Sequence, residues 1–241
     1  MTKLSGRGLR EDDLIYSLIK NKFKNPVMID VGAHGGGSCK KFAESNWVIY
    51  AFEPCKSWYN TLERECGNMI TCERKAVSNI ESQNVALYTS RQSGGITSLF
   101  NFHSSHQLTE TVDTIRLDNY MKLKNIEKVD YLKVDAEGHD FFVLKGYDWN
   151  YLPSVIEVEF EDLKTSSSTH NGEKTTNNYT WDDMANFLKD KGYNIVVSEW
   201  NPIVRYGGGV HTWNTFKTFP CKLDTNKAWG NMICFLDKEL F

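Results

Sequence analysis

The sequence of 241 residues lacks several features that define particular classes of protein. It contains no run of about 18 apolar residues, the length that a membrane-spanning helix requires. Its N-terminus lacks the apolar core of a signal peptide, and Asp12 and Asp13 follow closely. We therefore expect a cytoplasmic protein without a membrane span.

The chain also lacks a strong excess of charge and any C-x-x-C pair. A formal net charge of −3 argues against a protein that depends on broad electrostatic attraction to nucleic acid or to an anionic membrane. The 6 cysteines do not have the spacing of a zinc site and are expected to be reduced and structural. The sequence predicts no nucleic-acid partner and does not indicate an oligomeric state.

Short apolar segments alternate with helical segments along most of the chain. This pattern is typical of an α/β protein whose mostly parallel sheet is covered by helices on both faces. Seven strands are predicted, at 27–31, 47–52, 69–76, 129–134, 155–160, 195–198 and 232–236. Helices are predicted at 9–23, 38–46, 58–66, 140–145 and 180–191.

Two stretches interrupt the alternation. Residues 80–117 contain two alternating segments, 85–88 and 112–117, around a middle rich in Ser, Gly and His, which predicts a hairpin-like insertion. Residues 162–179 are almost wholly polar and are expected to form a mobile loop. We interpret 1–241 as a single domain with an N-terminal helix in 1–24, a cofactor-binding core in 25–160, and a C-terminal part, 180–241, that completes the sheet and forms the substrate side.

A glycine-rich turn follows the first predicted strand. Such a turn, placed before a helix, lets backbone N–H groups approach a charged ligand. Gly32 and Gly35 belong to it, but His34 occupies the second glycine position of the dinucleotide fingerprint. Asp30, at the end of the strand, suits a cationic group such as the α-amine of a bound methionine moiety and would repel a pyrophosphate.

Glu53 ends the second predicted strand, where a doubly wound nucleotide-binding fold places an acid that binds the ribose hydroxyls. The simpler alternative is that Glu53 and Pro54 only end a strand and start a helix. Taken with Asp30 and His34, Glu53 favours S-adenosylmethionine over a nicotinamide cofactor.

Several motifs, in this order and at this spacing, resemble the FkbM-type methyltransferases. They are Asp30-Val-Gly-Ala-His-Gly35, Phe52-Glu-Pro54, Lys75-Ala-Val-Ser78, Thr114-Ile-Arg-Leu-Asp118, Leu132-Lys-Val-Asp-Ala-Glu-Gly138 and Val143-Leu-Lys-Gly146. The resemblance covers residues 25 to 160, and its most specific element is Lys-Val-Asp-Ala-Glu-Gly. It implies a Rossmann-like class I methyltransferase fold with a seven-stranded sheet, and methyl transfer to a hydroxyl of a sugar or a glycosylated natural product. It also implies that Gly32, Glu53, Ala76 and Val77 contact the cofactor.

Titratable residues gather just after the fourth main strand of this pattern, where reactive groups of an open α/β sheet belong. Asp135, Glu137 and His139 are the candidate catalytic residues, and Asp135 is also a candidate cofactor contact. His139 is the natural general base if its ring faces the methyl group. The two acids could orient the acceptor hydroxyl, orient His139, or ligate a divalent cation. The structural alternative is a helix cap at Glu137 and a solvated histidine.

The next strand adds further candidates. Glu157 and Glu159 project to the same face, and buried acids there are costly unless they are paired or catalytic. Glu159, nearer the strand end, joins Asp135 and Glu137 as a candidate ligand for a divalent cation, although the sequence establishes no metal site. Asn231 could bind an acceptor hydroxyl. Aromatic residues in the C-terminal third could stack on sugar rings, but most are expected to pack in the core.

Three functions fit these observations. The first is an S-adenosylmethionine-dependent O-methyltransferase that acts on a small molecule or a glycan. The second is an NAD(P)-dependent oxidoreductase, against which the missing second glycine and the lack of a Tyr-x-x-x-Lys pair both count. The third is a catalytically silent nucleotide-binding module that takes part in glycan assembly.

Overall fold

The computed structural model describes residues 9–162, 169–170, 173–174, 179–205 and 211–240. The main sheet contains β1 (Val27–Val31), β2 (Val48–Phe52), β3 (Thr71–Glu73), β8 (Tyr131–Val134), β9 (Val155–Glu161), β12 (Asn194–Trp200), β13 (Trp213–Thr218) and β14 (Trp229–Phe235). Shorter pairings involve β4 (Ala76–Val77), β5 (Val85–Ser90), β6 (His106–Val112), β7 (Thr114–Ile115), β10 (Thr169–His170) and β11 (Glu173–Lys174). The helices are α1 (Glu11–Ile19), α2 (Lys40–Ala43), α3 (Lys56–Cys66), α4 (Leu117–Lys124), α5 (Asp140–Lys145) and α6 (Trp181–Asp190), with 3₁₀ turns at Gly94–Ile96 and Lys238–Leu240.

The eight strands of the main sheet lie in the order β3-β2-β1-β8-β9-β14-β12-β13. The pairings from β3 to β9 are parallel, and those that add β14, β12 and β13 are antiparallel. The predicted α/β class with a mostly parallel sheet is therefore confirmed, but the predicted count of seven strands is wrong. The additional strand, β13, lies at the edge of the sheet, and its half-buried residues mix polar and aromatic types. It consequently lacks the apolar run by which the buried strands were recognised.

Two further differences concern the region between the second and fourth main strands. The predicted strand 69–76 is divided, because β3 belongs to the main sheet whereas β4 pairs with β7 in a separate two-stranded sheet. Residues 112–117, expected to be one extended segment, contain the end of β6, the short β7 and the first residue of α4, a helix that was not predicted. The hairpin-like insertion is confirmed, since β5 and β6 pair in antiparallel fashion. Most of the predicted mobile loop, 162–179, lies outside the described residues.

Hydrophobic cores lie on both faces of the main sheet, as the sequence predicts. On one face, Ile29 and Val31 of β1 pack in a core with residues of α4, α5 and α6. On the other face, Met28 packs in a core with residues of α1, α2 and α3. This division follows from the alternation of side chains along a strand. The parallel pairing of β1 with β2 and with β8 places the carboxyl ends of these three strands beside one another at one edge of the sheet.

None of the helices in the described part of the chain combines the length and the apolar composition that a membrane crossing requires. The 6 cysteines form no disulfide bond. At the C-terminal side, helix α6 begins with a capping box. The Thr180 hydroxyl accepts a hydrogen bond from the Asp183 N–H, and the Asp183 carboxylate accepts one from the Thr180 N–H.

Candidate active site

A cavity of about 260 Å³ opens at the carboxyl ends of β1, β2 and β8. This is the edge at which open α/β sheets bind their ligands. The cavity wall includes many of the residues that the sequence singled out, namely Gly32, His34, Glu53, Ala76, Val77, Asp135, Glu137 and His139. Among the predicted site residues, Asp30, Gly35 and Glu159 do not line it.

The turn after β1 approaches the chain after β8 so closely that only glycine fits at its first position. Gly32 has a φ of +80°, and a Cβ built on it would lie 1.8 Å from the carbonyl oxygen of Asp135. Its N–H donates to the carbonyl oxygen of Phe52, 2.9 Å away. Gly35 instead faces helix α3, where a Cβ would lie 3.2 Å from the side chain of Thr61. Gly32 therefore shapes the cavity, and Gly35 shapes the packing of the turn.

His34 contributes both its backbone and its ring to the cavity. Its φ of +51° is a left-handed conformation, uncommon for a residue with a side chain. The imidazole lies on the indole of Trp58, with 3.5 Å between ring centroids and an interplanar angle of 31°. Burial lowers the pKa of His34, so the ring is favoured in its neutral form. The ring thus forms part of an aromatic wall.

The acid at the end of β2 is buried in the cavity wall. Glu53 accepts hydrogen bonds from the N–H groups of His34 at 2.9 Å and of Cys55 at 2.8 Å, one on each carboxylate oxygen. Burial raises the pKa of Glu53 to about 7, although the two backbone donors act in the opposite direction. A carboxylate oxygen can accept more than one hydrogen bond, so Glu53 can still bind hydroxyl groups of a ligand.

Asp30 lies on the other face of the sheet from the cavity. Because side chains alternate along β1, Val31 lines the cavity while Asp30 points toward α2. Asp30 is fully buried, and its Oδ2 accepts a hydrogen bond of 2.6 Å from the Ser38 hydroxyl. The structure therefore does not bring this carboxylate to the cavity wall, where the sequence placed it as a contact for the cofactor amine.

The loop after β8 is held in an unusual conformation by the residue that begins α5. Glu137 has a φ of +50° and Gly138 a φ of +90°. The carboxylate of Asp140 accepts hydrogen bonds from the N–H groups of Ala136 at 2.7 Å and Gly138 at 3.0 Å. Left-handed conformations of residues other than glycine persist only where the surroundings enforce them, and they are frequent at functional sites.

Two distant segments also bind this loop. The Ser98 hydroxyl, from the insertion, donates to the carbonyl oxygen of Glu137 at 2.8 Å. The Tyr179 hydroxyl donates to the carbonyl oxygen of Gly138 at 2.9 Å. The insertion and the C-terminal part of the chain thus both help to orient the Glu137 side chain.

Three of the predicted acids come together beside the cavity. Asp135, Glu137 and Glu159 each offer a carboxylate oxygen, and these three oxygens lie within 4.8 Å of one another. Glu159 is largely buried, whereas Asp135 and Glu137 are partly exposed. We call these three residues the acid cluster. Carboxylates at this spacing can accept a proton, hold a hydroxyl group or ligate a divalent cation.

Glu157 is separate from the acid cluster although it shares a strand face with Glu159. It is fully enclosed in the sheet, and the Tyr131 hydroxyl donates a hydrogen bond to its carboxylate. Burial raises the pKa of Glu157 to about 7.

His139 lies in an apolar part of the cavity wall. Its Nε2 is 2.9 Å from the Ser78 hydroxyl, and its ring packs against Phe100 and Phe142 with centroid distances of 4.9 and 4.8 Å. Burial lowers the pKa of His139 to about 4, so the ring is neutral at physiological pH and a weak base. The structure brings His139 to the site but not into the acid cluster.

Sequence reasoning missed the part of the wall that the insertion contributes. Gly94, Thr97 and Leu99 line the cavity opposite the glycine turn, and Trp58 of α3 lies between His34 and Gly94. A Cβ on Gly94 would lie 2.5 Å from the indole ring. The adjacent glycines at 94 and 95 are a signal of close packing that the sequence shows. The residue against which Gly94 packs, Trp58, could not be identified from the sequence.

Comparison with known proteins gives a family and distant structural relatives. The model of the methyltransferase FkbM domain matches residues 30–195. No curated protein sequence matches the chain. Among solved structures, an O-methyltransferase from Bacillus cereus has a TM-score of 0.47 at 9% identity, over 96% of this chain and 83% of that one. A precorrin-6y C5,15-methyltransferase from Geobacter metallireducens has a TM-score of 0.44 at 12% identity, over 98% and 94% of the two chains.

The close approach at Gly32 leads to a testable difference between two glycines of the same turn. We expect Gly32→Ala to lower the free energy of unfolding by about 2 kcal/mol or more, because it combines a positive φ with a backbone clash. Gly37→Ala is the matched control, since a Cβ there meets nothing within 4 Å, and it should change stability by less than about 0.5 kcal/mol. Urea denaturation of both variants measures this, and equal stabilities would contradict the assigned role of Gly32.

Proposed function

Because the chain belongs to the FkbM methyltransferase family, we propose that it transfers the methyl group of S-adenosylmethionine to a hydroxyl of a sugar or a glycosylated molecule. The observation that carries this assignment is a single cavity whose wall combines the glycine turn and Glu53 with Asp135 and Glu137. The first pair suits a nucleoside cofactor, and the second suits a reacting hydroxyl group.

The cofactor would lie across the glycine turn. Glu53 would accept hydrogen bonds from the two ribose hydroxyls, and Ala76 and Val77 would provide an apolar surface for the adenine. The backbone around Gly32 and His34 would approach the methionine moiety. Asp30, which lies behind the turn and binds Ser38, would support the turn and not the ligand.

The acid cluster would take up the proton of the acceptor. Methyl transfer is an in-line displacement in which the acceptor oxygen forms a bond to the methyl carbon while the carbon–sulfur bond breaks and its electron pair passes to sulfur. A neutral hydroxyl is a poor nucleophile, so a base must accept its proton in the same step. Asp135 and Glu137 both line the cavity, and one of them would accept this proton. S-adenosylhomocysteine would be the other product.

His139 is a less suitable base, because its low pKa and its packing between aromatic rings favour a neutral role. A divalent cation held by Asp135, Glu137 and Glu159 is the alternative way to activate the hydroxyl, and the spacing of their oxygens would permit it. The two routes differ in their response to a chelator.

A sugar acceptor is supported by residues that continue from the acid cluster along the same sheet edge. Asn231 of β14 pairs in register with Glu159 and offers a carboxamide to hydroxyl groups. The half-buried Trp229, also on β14, pairs in register with Glu161. The centroid of its ring lies 5.3 Å from that of Trp200. Amide and indole groups next to a reactive carboxylate are well suited to a ring that carries several hydroxyls.

The cofactor assignment predicts selective binding. In calorimetric titrations, S-adenosylmethionine should bind and NAD should not, because Asp135 and a neutral His34 line the cavity beside the glycine turn, where a pyrophosphate would lie. Glu53→Gln should weaken S-adenosylmethionine binding about tenfold or more, since it removes charge-assisted hydrogen bonds to the ribose. Glu63→Gln is the control, because Glu63 is an exposed residue of helix α3. Tight binding of NAD without binding of S-adenosylmethionine would refute the proposal.

The raised pKa of Glu53, about 7, predicts that cofactor binding depends on pH. Hydroxyl donors stabilise the ionised carboxylate, so binding lowers this pKa, and affinity must rise with pH through the region of 7 and fall below it. Titrations at about pH 6 and about pH 8 should differ by several-fold in the wild type. In Glu53→Gln, the affinity should change with pH only as far as the ligand itself titrates. An equal pH dependence in both proteins would exclude Glu53 as the cause.

The acid cluster predicts which residues limit methyl transfer. Once an acceptor is identified by its mass gain of one methylene unit, Asp135→Asn should lower the turnover rate about a hundredfold or more, while the affinity for the cofactor changes little. Asp190→Asn, an exposed acid in α6, is the control. A chelator should leave the wild-type rate unchanged, whereas loss of activity that is restored by Mg²⁺ or Mn²⁺ would favour the metal-held hydroxyl.

A further inference from the structure

A lysine lies buried in the middle of the sheet directly below the acid cluster. Lys133 belongs to the central strand β8 and is 9% exposed. On one side it pairs in register with Asp30 of β1, and on the other with Glu157 of β9. Its side chain therefore shares a strand face with two buried carboxylates, one on each neighbouring strand.

Each of these two flanking acids has another hydrogen-bond donor. The Asp30 carboxylate binds the Ser38 hydroxyl, and the Glu157 carboxylate binds the Tyr131 hydroxyl. The ammonium of Lys133 does not donate to either of them. It donates to the Oδ2 of Asp135, 3.1 Å away. Asp135 is two residues after Lys133, just beyond the end of β8. Lys133 is thus directed upward, toward the site.

Two described cations of this face, Arg10 and Lys41, form ion pairs with Asp12 of helix α1, at 2.9 and 2.8 Å. Lys133 instead contacts the acid cluster, through Asp135. Burying an ammonium group is costly unless it is paired, and a purely apolar residue would fill the same space in the sheet at a lower cost.

Three carboxylates within 4.8 Å of one another repel each other unless a positive charge is close. In many enzymes a bound divalent cation supplies that charge. We propose that Lys133 is a fixed counter-ion of the acid cluster: it holds Asp135 in place and supplies, from within the sheet, positive charge of the kind that a metal ion would otherwise provide. The role in methyl transfer rests on the proposed function, but the electrostatic role does not.

Mn²⁺ binding tests this role without an acceptor or a cofactor. Removing the ammonium should turn the acid cluster into a better cation site. In the full-length protein, Lys133→Met should bind Mn²⁺ about tenfold or more tightly than the wild type, as measured by calorimetry or by electron paramagnetic resonance. Lys133→Arg, which keeps the charge, should behave as the wild type does. Adding Glu159→Gln to Lys133→Met should abolish the gain and so locate the bound ion.

Because Lys133→Met leaves the buried Asp30 without a nearby cation, the series is repeated in an Asp30→Asn background, with Asp30→Asn alone as the reference. Circular dichroism and a cooperative thermal unfolding transition verify that each variant is folded. A Mn²⁺ affinity that is the same with and without the ammonium in the folded variants would overturn the proposal. So would a gain that persists when Glu159 is replaced. Failure of the proposed function would show separately, as absence of S-adenosylmethionine binding.

Discussion

The contact between the turn after β1 and the loop after β8 is the constraint on which the site depends. The Gly32 backbone lies so close to the carbonyl oxygen of Asp135 that a methyl group cannot be placed between them. This proximity follows from the sheet order, because β1 and β8 are neighbours and both end at the same edge. It brings the glycine turn and the loop that carries Asp135 and Glu137, roughly a hundred residues apart in the chain, into one cavity wall.

The rest of the molecule holds these two loops at that distance. The Asp140 carboxylate, the Ser98 hydroxyl and the Tyr179 hydroxyl each bind the backbone of the β8 loop and keep Glu137 in a left-handed conformation. Ser98 comes from the insertion and Tyr179 from the chain before α6, so elements that are not part of the nucleotide-binding strands also determine the geometry of the acids. Beneath them, Lys133 donates to Asp135 and lies on β8 between the strands that carry Asp30 and Glu157.

The titratable residues of the cavity wall differ in their electrostatics. Around Glu53, His34 and His139, burial favours uncharged forms: it raises the pKa of the acid and lowers those of the histidines. Such surroundings suit a nucleoside, which has many hydrogen-bonding groups and no phosphate. By contrast, Asp135 and Glu137 are partly exposed.

Much of the site was predictable because its residues end predicted strands. Strand β1 was predicted with its observed bounds, and Gly32, Glu53 and Asp135 follow or end strands whose parallel order brings their carboxyl ends together. The spacing of Lys133 to Gly138 carried the family resemblance. By contrast, the short helix α4 and the edge strand β13 lack strong periodicity, and their structure depends on packing with distant segments.

The sequence by itself therefore determined the fold class, the family and the sheet edge at which the cavity opens, because these depend on local patterns and on short motifs that are visible in the sequence. Only the tertiary structure decided which candidates meet. It placed Asp30 behind the cavity, through the alternation of side chains along β1. It enclosed His139 between aromatic rings, and it joined Glu159 to Asp135 and Glu137 across two strands. Side-chain direction and burial follow from contacts between residues far apart in the chain, which no local pattern contains.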